Sequence, residues 1–305
     1  MSSVNMEELE FLVELLNKYP TESLKKIAEN EGVDYYRLKR IYDKYYGKCT
    51  QVSAIYNISR IGLKSFVAFL SVPRSDLRAV AWRMFQNPFI VYSNAMFGFK
   101  NGISAILHIP KDQTKLVGEL LAKYSDDYEY YLVRSYPPPK NRDNTGSWNL
   151  SYDYAILMDI LKWDARTPMK KISEILGKTR PTIRYMINRL KEEKILVRFE
   201  ANIDTPAYDR GVLGIANEVR DEILEKFGER EIMIGSLKPK GYVIEWFFSS
   251  KEDLGTKLFE FSNYVEKVGI EYFDILEDLE KNRKCYRFSK MVKKDGSGYN
   301  SILDF

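Results

Sequence analysis

The sequence is poor in the residues on which many catalytic and metal sites depend. Among its 305 residues are one histidine, His108, and two cysteines, Cys49 and Cys285. A single histidine argues against a His pair, a Ser-His-Asp triad and a His-rich metal site. The cysteines have no CxxC spacing and no Cys or His companions, so we expect idle thiols instead of a disulfide or a zinc site. We therefore expect no catalytic residues, no cofactor and no bound metal.

The chain also lacks the roughly 18-residue apolar run that a membrane helix needs. Its first residues, MSSVNMEELEF, lack the charged and then apolar layout of a signal peptide, so we expect a cytoplasmic protein with no membrane partner. Lys and Arg number 47 against 43 Asp and Glu, giving a net charge of +4, so any nucleic-acid footprint must be local. The abundance of Lys, Glu, Ile and Tyr is typical of a thermophilic, archaeal-like source.

An internal repeat is the most informative feature that is present. SLKKIAE at 23–29 matches PMKKISE at 168–174, an offset that carries Lys25 onto Lys170. The same offset keeps apolar positions in phase over roughly 50 residues, which indicates two copies of one module in tandem. Between the copies, SYPPPKNRDNTGSWN has the prolines and polar residues of a linker.

Each copy opens with three predicted helices. In the second copy, PMKKISEILGK begins at Pro168 and ends at Gly177, and Thr179 is a good N-cap for the next helix. Ile183, Ile187 and Leu190 form the predicted buried stripe of that third helix. Two short helices around a glycine turn are the helix-turn-helix layout, whose second helix can enter a DNA major groove. The first copy repeats the scheme at about 6–18, 21–31 and 34–46.

The exposed faces of both third helices are the candidate DNA-binding surfaces. Their side chains can form hydrogen bonds with phosphates or base edges. In the second copy, the run ILVRFEANI directly after the third helix predicts a β-hairpin wing. The alternative is a solvated face that serves solubility alone. Because the two faces differ, we expect them to prefer different base sequences. The candidates are Arg37, Lys39, Arg40, Lys44, Arg180, Thr182, Arg184, Tyr185, Asn188, Arg189 and, in the wing, Arg198.

After each helix-turn-helix, apolar and amphipathic segments alternate as strand, helix, strand, strand, helix, strand. This βαββαβ order predicts an α+β fold, with two winged helix-turn-helix domains each followed by a ferredoxin-like domain. The predicted boundaries are 1–60 and 151–205 for the winged helices, 61–136 and 206–281 for the ferredoxin-like domains, 137–150 for a linker and 282–305 for a basic tail.

A winged helix with NID at its end, followed by βαββαβ, resembles the Lrp/AsnC family of transcription regulators, here in tandem duplication. The resemblance implies a regulator that binds double-stranded DNA and is not an enzyme. It also implies pairing through the sheet domains, so that one chain forms a pseudo-dimer, with further homodimerisation left open. A small-molecule effector is uncertain. The family's Gly-x-x-Asp effector loop corresponds here to GFKN and GSLK, which lack the Asp and fit hairpin turns, and which give Gly98, Asn101, Gly235 and Lys238 as weak effector-binding candidates.

Other interpretations stay open. The architecture is also similar to that of siroheme decarboxylases, which would need cationic residues and a histidine around a tetrapyrrole; His108 is the one available, with Phe247 at the comparable position of the second half. A protein-interaction scaffold without DNA binding is a third class. The tail is either a phosphate clamp or a disordered end, and its basic residues are Arg283, Lys284, Arg287, Lys290, Lys293 and Lys294.

Overall fold

A computed structural model describes residues 5–136, 146, 148–203, 210–227, 232–248, 255–276, 287–296 and 298–305. The chain divides into two compact units. The helical unit contains Met1–Arg60, Leu150–Pro206 and Arg287–Gly298, and the sheet unit contains Ile61–Asn149, Ala207–Tyr286 and Tyr299–Phe305.

The secondary structure repeats one order of elements twice. In the first half this order is α1 (Met6–Lys18), α2 (Leu24–Glu31), α3 (Tyr35–Tyr45), β1 (Thr50–Tyr56), β2 (Leu63–Ser71), α4 (Leu77–Gln86), β3 (Ile90–Gly98), β4 (Gly102–Pro110), α5 (Val117–Ala122) and β5 (Tyr128–Ser135). In the second half it is α6 (Tyr152–Trp163), α7 (Met169–Leu176), α8 (Arg180–Glu192), β6 (Leu196–Ile203), β7 (Arg210–Ala216), α9 (Asp221–Phe227), β8 (Ile232–Lys238), β9 (Tyr242–Phe248), α10 (Gly255–Ser262) and β10 (Lys267–Tyr272).

Local chemistry sets the bounds of the second helix-turn-helix as predicted. Gly177 ends α7 in the left-handed region, at φ 61°, which a glycine adopts without a Cβ clash. The Thr179 hydroxyl caps α8 by accepting a hydrogen bond from the Thr182 amide at 3.4 Å. The buried face of α8 differs slightly from the prediction, because Met186 joins Ile183 and Leu190 in the core. Ile187, one position further round the helix, is only half-buried.

The predicted hairpin wings are wrong. The strand that follows α8, β6, pairs antiparallel with β1 of the other copy, from Thr50 opposite Ile203 to Tyr56 opposite Leu196. The ladder is fixed by helix α1, whose Asn17 exchanges two hydrogen bonds with the backbone of Ala201, at 2.7 and 3.0 Å. Buried apolar side chains of both strands, among them Val52 and Ala201, join the α1 to α3 core. Pairing across the copies thus supplies the neighbour that a hairpin would have supplied.

The sheet unit confirms the predicted α+β fold class with two βαββαβ sets. Its eight strands form one closed antiparallel sheet in the order β10, β3, β4, β2, β5, β8, β9, β7. Two ladders join the halves: β5 with β8, and β10 with β3. Large side chains fill the layer against the helices of the second set, where Phe227, Trp246 and Phe261 are fully buried.

The described part of the basic tail, residues 287–296 and 298–305, is packed, so the alternative of a disordered end does not hold for these residues. In the helical unit, the tail forms a single turn of helix, Phe288–Met291. The Phe288 amide, at the start of this turn, donates a hydrogen bond to Asp159 Oδ1 at 2.6 Å. Burial raises the pKa of the Asp159 carboxyl. In the sheet unit, Asn87 Nδ2 donates to the Ile302 carbonyl at 2.9 Å. Arg283, Lys284 and Cys285 lie outside the described residues.

None of the helices in the described ranges is long and apolar enough to cross a membrane.

Replacing Phe288 with alanine should destabilise the helical unit by about 3–5 kcal/mol, because the ring is 1% exposed and packs edge to face on Tyr56 at 5.6 Å. Urea unfolding followed by far-ultraviolet circular dichroism measures the change. Phe259→Ala is the matched control, since that ring is 74% exposed and its loss should change stability by less than about 0.5 kcal/mol. Equal midpoints for the two variants would contradict the packing role of the tail.

Candidate nucleic-acid interface and sheet cavity

Helix α8 presents the richest set of hydrogen-bond donors in the helical unit. Arg180, Thr182, Arg184, Tyr185 and Asn188 are all exposed. Within the described residues, neither Arg180 nor Arg184 has a carboxylate partner, so both guanidinium groups are available to an anion. The Thr182 hydroxyl is already shared with that of Thr179 at 2.8 Å. The face is therefore cationic and solvated, as base or phosphate contacts require.

Two other candidates of the second copy are engaged within the protein. Arg189 is half-buried and forms an ion pair with Glu193 at 3.2 Å. Arg198 lies on β6, exposed, with its guanidinium 3.0 Å from Glu200. Both are surface pairs, whose stabilisation is small and screened by salt, so a phosphate can compete for either cation.

The first copy offers a weaker cationic face on α3. Lys39 pairs with Asp43, and Lys44 pairs with Glu8 at 2.7 Å. Hydrogen bonds from Lys44 and then Tyr45 lower the pKa of Glu8, so that carboxylate stays ionised and holds the lysine. Arg37 and Arg40 are exposed on the same helix. The structure therefore leaves α3 with two arginines that are not committed to these pairs.

Inside the closed sheet lies a cavity of about 610 Å³, a size typical of small-molecule sites. Strands alternate their side chains, so every second residue of the eight strands points inward. The lining is mainly apolar, with Val67, Ile106, Leu213 and Phe247 among its residues. Polar residues interrupt this lining at several places, and such groups can orient a bound ligand. Those that matter here are Tyr92, Asn94, Ser104, His108, Glu245 and Glu271.

Two glutamates share one wall of this cavity. Glu245 on β9 and Glu271 on β10 are hydrogen bonded to each other, and burial first, then the charge of Glu271, raises the pKa of Glu245 well above its ordinary value. Gly211 on β7 lies between them and makes room, since a Cβ there would be 2.9 Å from Glu245 Oε1 and 3.6 Å from Glu271 Oε2. A second carboxylate this close disfavours ionisation of Glu245, so the Glu245 carboxyl favours its protonated form.

Sequence reasoning missed the glutamate pair. Each residue stands alone in an apolar strand, in YVIEWFF and KVGIEY, which reads as an ordinary half-buried strand. The signal that could have found it is a glutamate at a position that the alternation of the strand assigns to the inward face. The sequence could not show that the two strands flank β7 and bring both carboxyls to one place.

The weak effector candidates do not form one site. Gly98 ends β3 and Asn101 lies in the turn before β4, where its side chain accepts a hydrogen bond from the Gly98 amide at 3.2 Å. Gly235 and Lys238 lie within strand β8, and the turn follows them, so the expected GSLK loop is wrong. Gly235 lines the cavity, whereas Lys238 is exposed.

Residues 151–197 match the family model described as winged helix-turn-helix DNA-binding. This match covers α6, α7 and α8 and the start of β6. The chain therefore contains a winged helix-turn-helix domain. No curated protein matches the sequence.

Solved structures similar to the chain include siroheme decarboxylase NirDL, with 16% identity, a TM-score of 0.60, and coverage of 91% of this chain and 97% of that chain. The same enzyme in complex with an iron-uroporphyrin III analogue gives 16% identity, a TM-score of 0.59, and coverage of 91% and 98%. LrpC of B. subtilis gives 13% identity and a TM-score of 0.34, with coverage of 42% and 96%, which is too distant to carry an argument.

At this identity the likeness shows a shared fold. We expected that the chain is not an enzyme. That expectation is wrong, because the fold shared over 91% of the chain is also the fold of NirDL, which is an enzyme.

Glu245→Gln should stabilise the sheet unit at neutral pH. Because the pKa of Glu245 is higher in the folded than in the unfolded chain, the folded state holds the extra proton, and stability falls as pH rises from about 4.5 through the raised pKa. The glutamine variant lacks this loss, so its unfolding midpoint should exceed that of the parent at pH 7 and approach it near pH 4.5. Urea unfolding at a series of pH values measures the difference. An equal pH slope in both proteins would show that Glu245 does not hold the proton.

Proposed function

We propose that this protein is a sequence-specific DNA-binding transcription regulator of the Lrp/AsnC type. The observation that carries the proposal is the exposed donor-rich face of α8 within a winged helix-turn-helix domain. Arg184 and Asn188 lie one turn apart on that face and have the donors and acceptors that read guanine and adenine edges. Arg180, at the first position of α8, is placed for a phosphate.

The same proposal makes one chain a pseudo-dimer built by tandem duplication. The repeated element order supports it, as do the β1–β6 ladder and the two ladders that join the halves of the sheet. The two winged helices would then act as a built-in pair with unequal faces, α8 cationic and α3 partly neutralised by Asp43 and Glu8. A scaffold role for the first winged helix remains the alternative for that module.

Other parts of the proposal rest on sequence. A cytoplasmic location, a small-molecule effector and further pairing between chains remain predictions. So does a phosphate clamp by the tail, for which Lys293 and Lys294 are exposed beside the buried Val292.

Arg184→Ala should weaken DNA binding by about 1–3 kcal/mol, a factor of roughly 5 to 150, because one guanidinium contact to a base edge is lost. Fluorescence anisotropy with a duplex selected from random DNA, across a salt series, measures the affinity. Arg220→Ala is the matched control, since Arg220 is exposed in the sheet unit and already paired with Glu218. If both variants bind like the parent while circular dichroism shows native helix content, α8 is not the reading element.

A second candidate function is an enzyme on the siroheme decarboxylase frame. It is favoured by His108, which lines the cavity and is the histidine that such a role needs. The carboxyls of Glu245 and Glu271 line the same cavity and would repel the carboxylates of a propionate-rich ligand. For that reason DNA binding is the first proposal.

Iron uroporphyrin III tests the second candidate. If the cavity holds this ligand, its Soret band should shift and sharpen on addition of protein, and His108→Gln should abolish the change because the imidazole is the cavity's only one. An unchanged spectrum at a protein excess would remove the tetrapyrrole function and leave the DNA-binding proposal untouched.

A further inference from the structure

The cavity of the sheet unit is chemically one-sided. Its inward-phase titratable groups are Tyr92 on β3, His108 on β4, Glu245 on β9 and Glu271 on β10, while the inward lining residues of β2, β5, β7 and β8 carry none. In the closed sheet β4 and β5 flank β2, and β9 and β10 flank β7. The imidazole of His108 therefore lies on one wall and the two carboxyls lie on another.

The position of Glu245 and Glu271 among apolar strand residues requires a physical explanation. Glu271 is 4% exposed, and Glu245, although partly accessible, has its surface on the cavity. Burying carboxyl groups costs free energy that apolar side chains of similar size would not cost. The equivalent inward positions of the first half, by strand register, are Ile106 and Val133, which shows that the fold accepts apolar residues there.

A second, independent observation points to an occupant. Ser104 on β4 lines the cavity and is 3% exposed, and its hydroxyl has no hydrogen-bond partner among the described residues. Buried hydroxyls are nearly always bonded, so this one is suited to bond a ligand or a water that the ligand replaces. Asn94, 3% exposed on the adjacent strand β3, lines the same cavity and adds an amide.

From this geometry we infer that the cavity is a binding site for an organic cation, a small amine with an apolar body, whose ammonium group is held by Glu245 and Glu271. The ammonium has three donors and matches two carboxylates, and the apolar lining accepts the carbon chain. When the cation arrives, its charge favours the ionised form of Glu245, and the proton of that carboxyl leaves to solvent. The inference is independent of DNA binding and of which regulatory or catalytic use follows.

Three probes with one carbon skeleton test it: hexylammonium, 1-hexanol and hexanoate, titrated into the full-length protein by calorimetry. Hexylammonium should bind at least about tenfold more tightly than hexanol, because one charge-assisted contact contributes roughly 1.5–3 kcal/mol. Hexanoate should bind least. Glu245→Gln and Glu271→Gln should each remove the preference for the cation. Glu266→Gln, the same change at an exposed site bonded to Asn217, should leave it intact.

Proton release separates this site from simple apolar binding. The heat of hexylammonium binding at neutral pH is measured in two buffers of different ionisation enthalpy. The two heats should differ by up to the difference between the ionisation enthalpies, which corresponds to one released proton, and Glu245→Gln should abolish this difference. His108→Gln should keep it, since the imidazole is not part of the pair. Tighter binding of hexanoate than of hexylammonium, equal binding of all three probes, or no saturable heat from any of them would overturn the inference. Loss of DNA binding in Arg184→Ala would affect neither the preference among the three probes nor the proton release.

Discussion

Antiparallel pairing between strands of different halves is the constraint on which the rest of the sheet unit depends. A four-stranded βαββαβ sheet has two open edges, each a row of unpaired amide and carbonyl groups. The ladders β5–β8 and β10–β3 remove all four edges at once by joining the two sets into one closed sheet. Closure also turns one face of every strand inward. The cavity, its apolar lining and its carboxyl pair all exist because the sheet has no edge.

The helical unit uses the same device on a smaller scale. Strands β1 and β6, one from each copy, pair with each other, and Asn17 of α1 satisfies the backbone of Ala201 on the strand from the other copy. Asp159 on α6 similarly bonds the first amides of the turn Phe288–Met291, so a segment from the end of the chain completes that core. The α8 face remains outside these contacts. A rigid core beneath a solvated helix is what precise contacts to a duplex require.

Elements were predictable from the sequence where a local rule decides them. Thr179 and Gly177 fix the ends of α8 and α7, and the periodicity of apolar residues predicts both βαββαβ sets. Strand partners were not predictable, because a period of two assigns inward and outward faces without saying which neighbour completes the ladder. The hairpin wings failed for that reason. Glu245 and Glu271, 26 positions apart with apolar neighbours, became a pair only through β7.

The difference between Ile106 and Val133 in the first half and the glutamates in the second has a consequence for symmetry. Two identical chains that closed such a sheet would place the same residues on both walls, and a carboxyl pair would appear twice, facing itself across the cavity. Because both halves belong to one polypeptide, each wall can vary alone, as His108 opposite Ser65 and Phe247 opposite Gly211 also do. The two carboxyls therefore lie on one side of the interior only. The two ends of the cavity lining thus differ in chemistry within one chain.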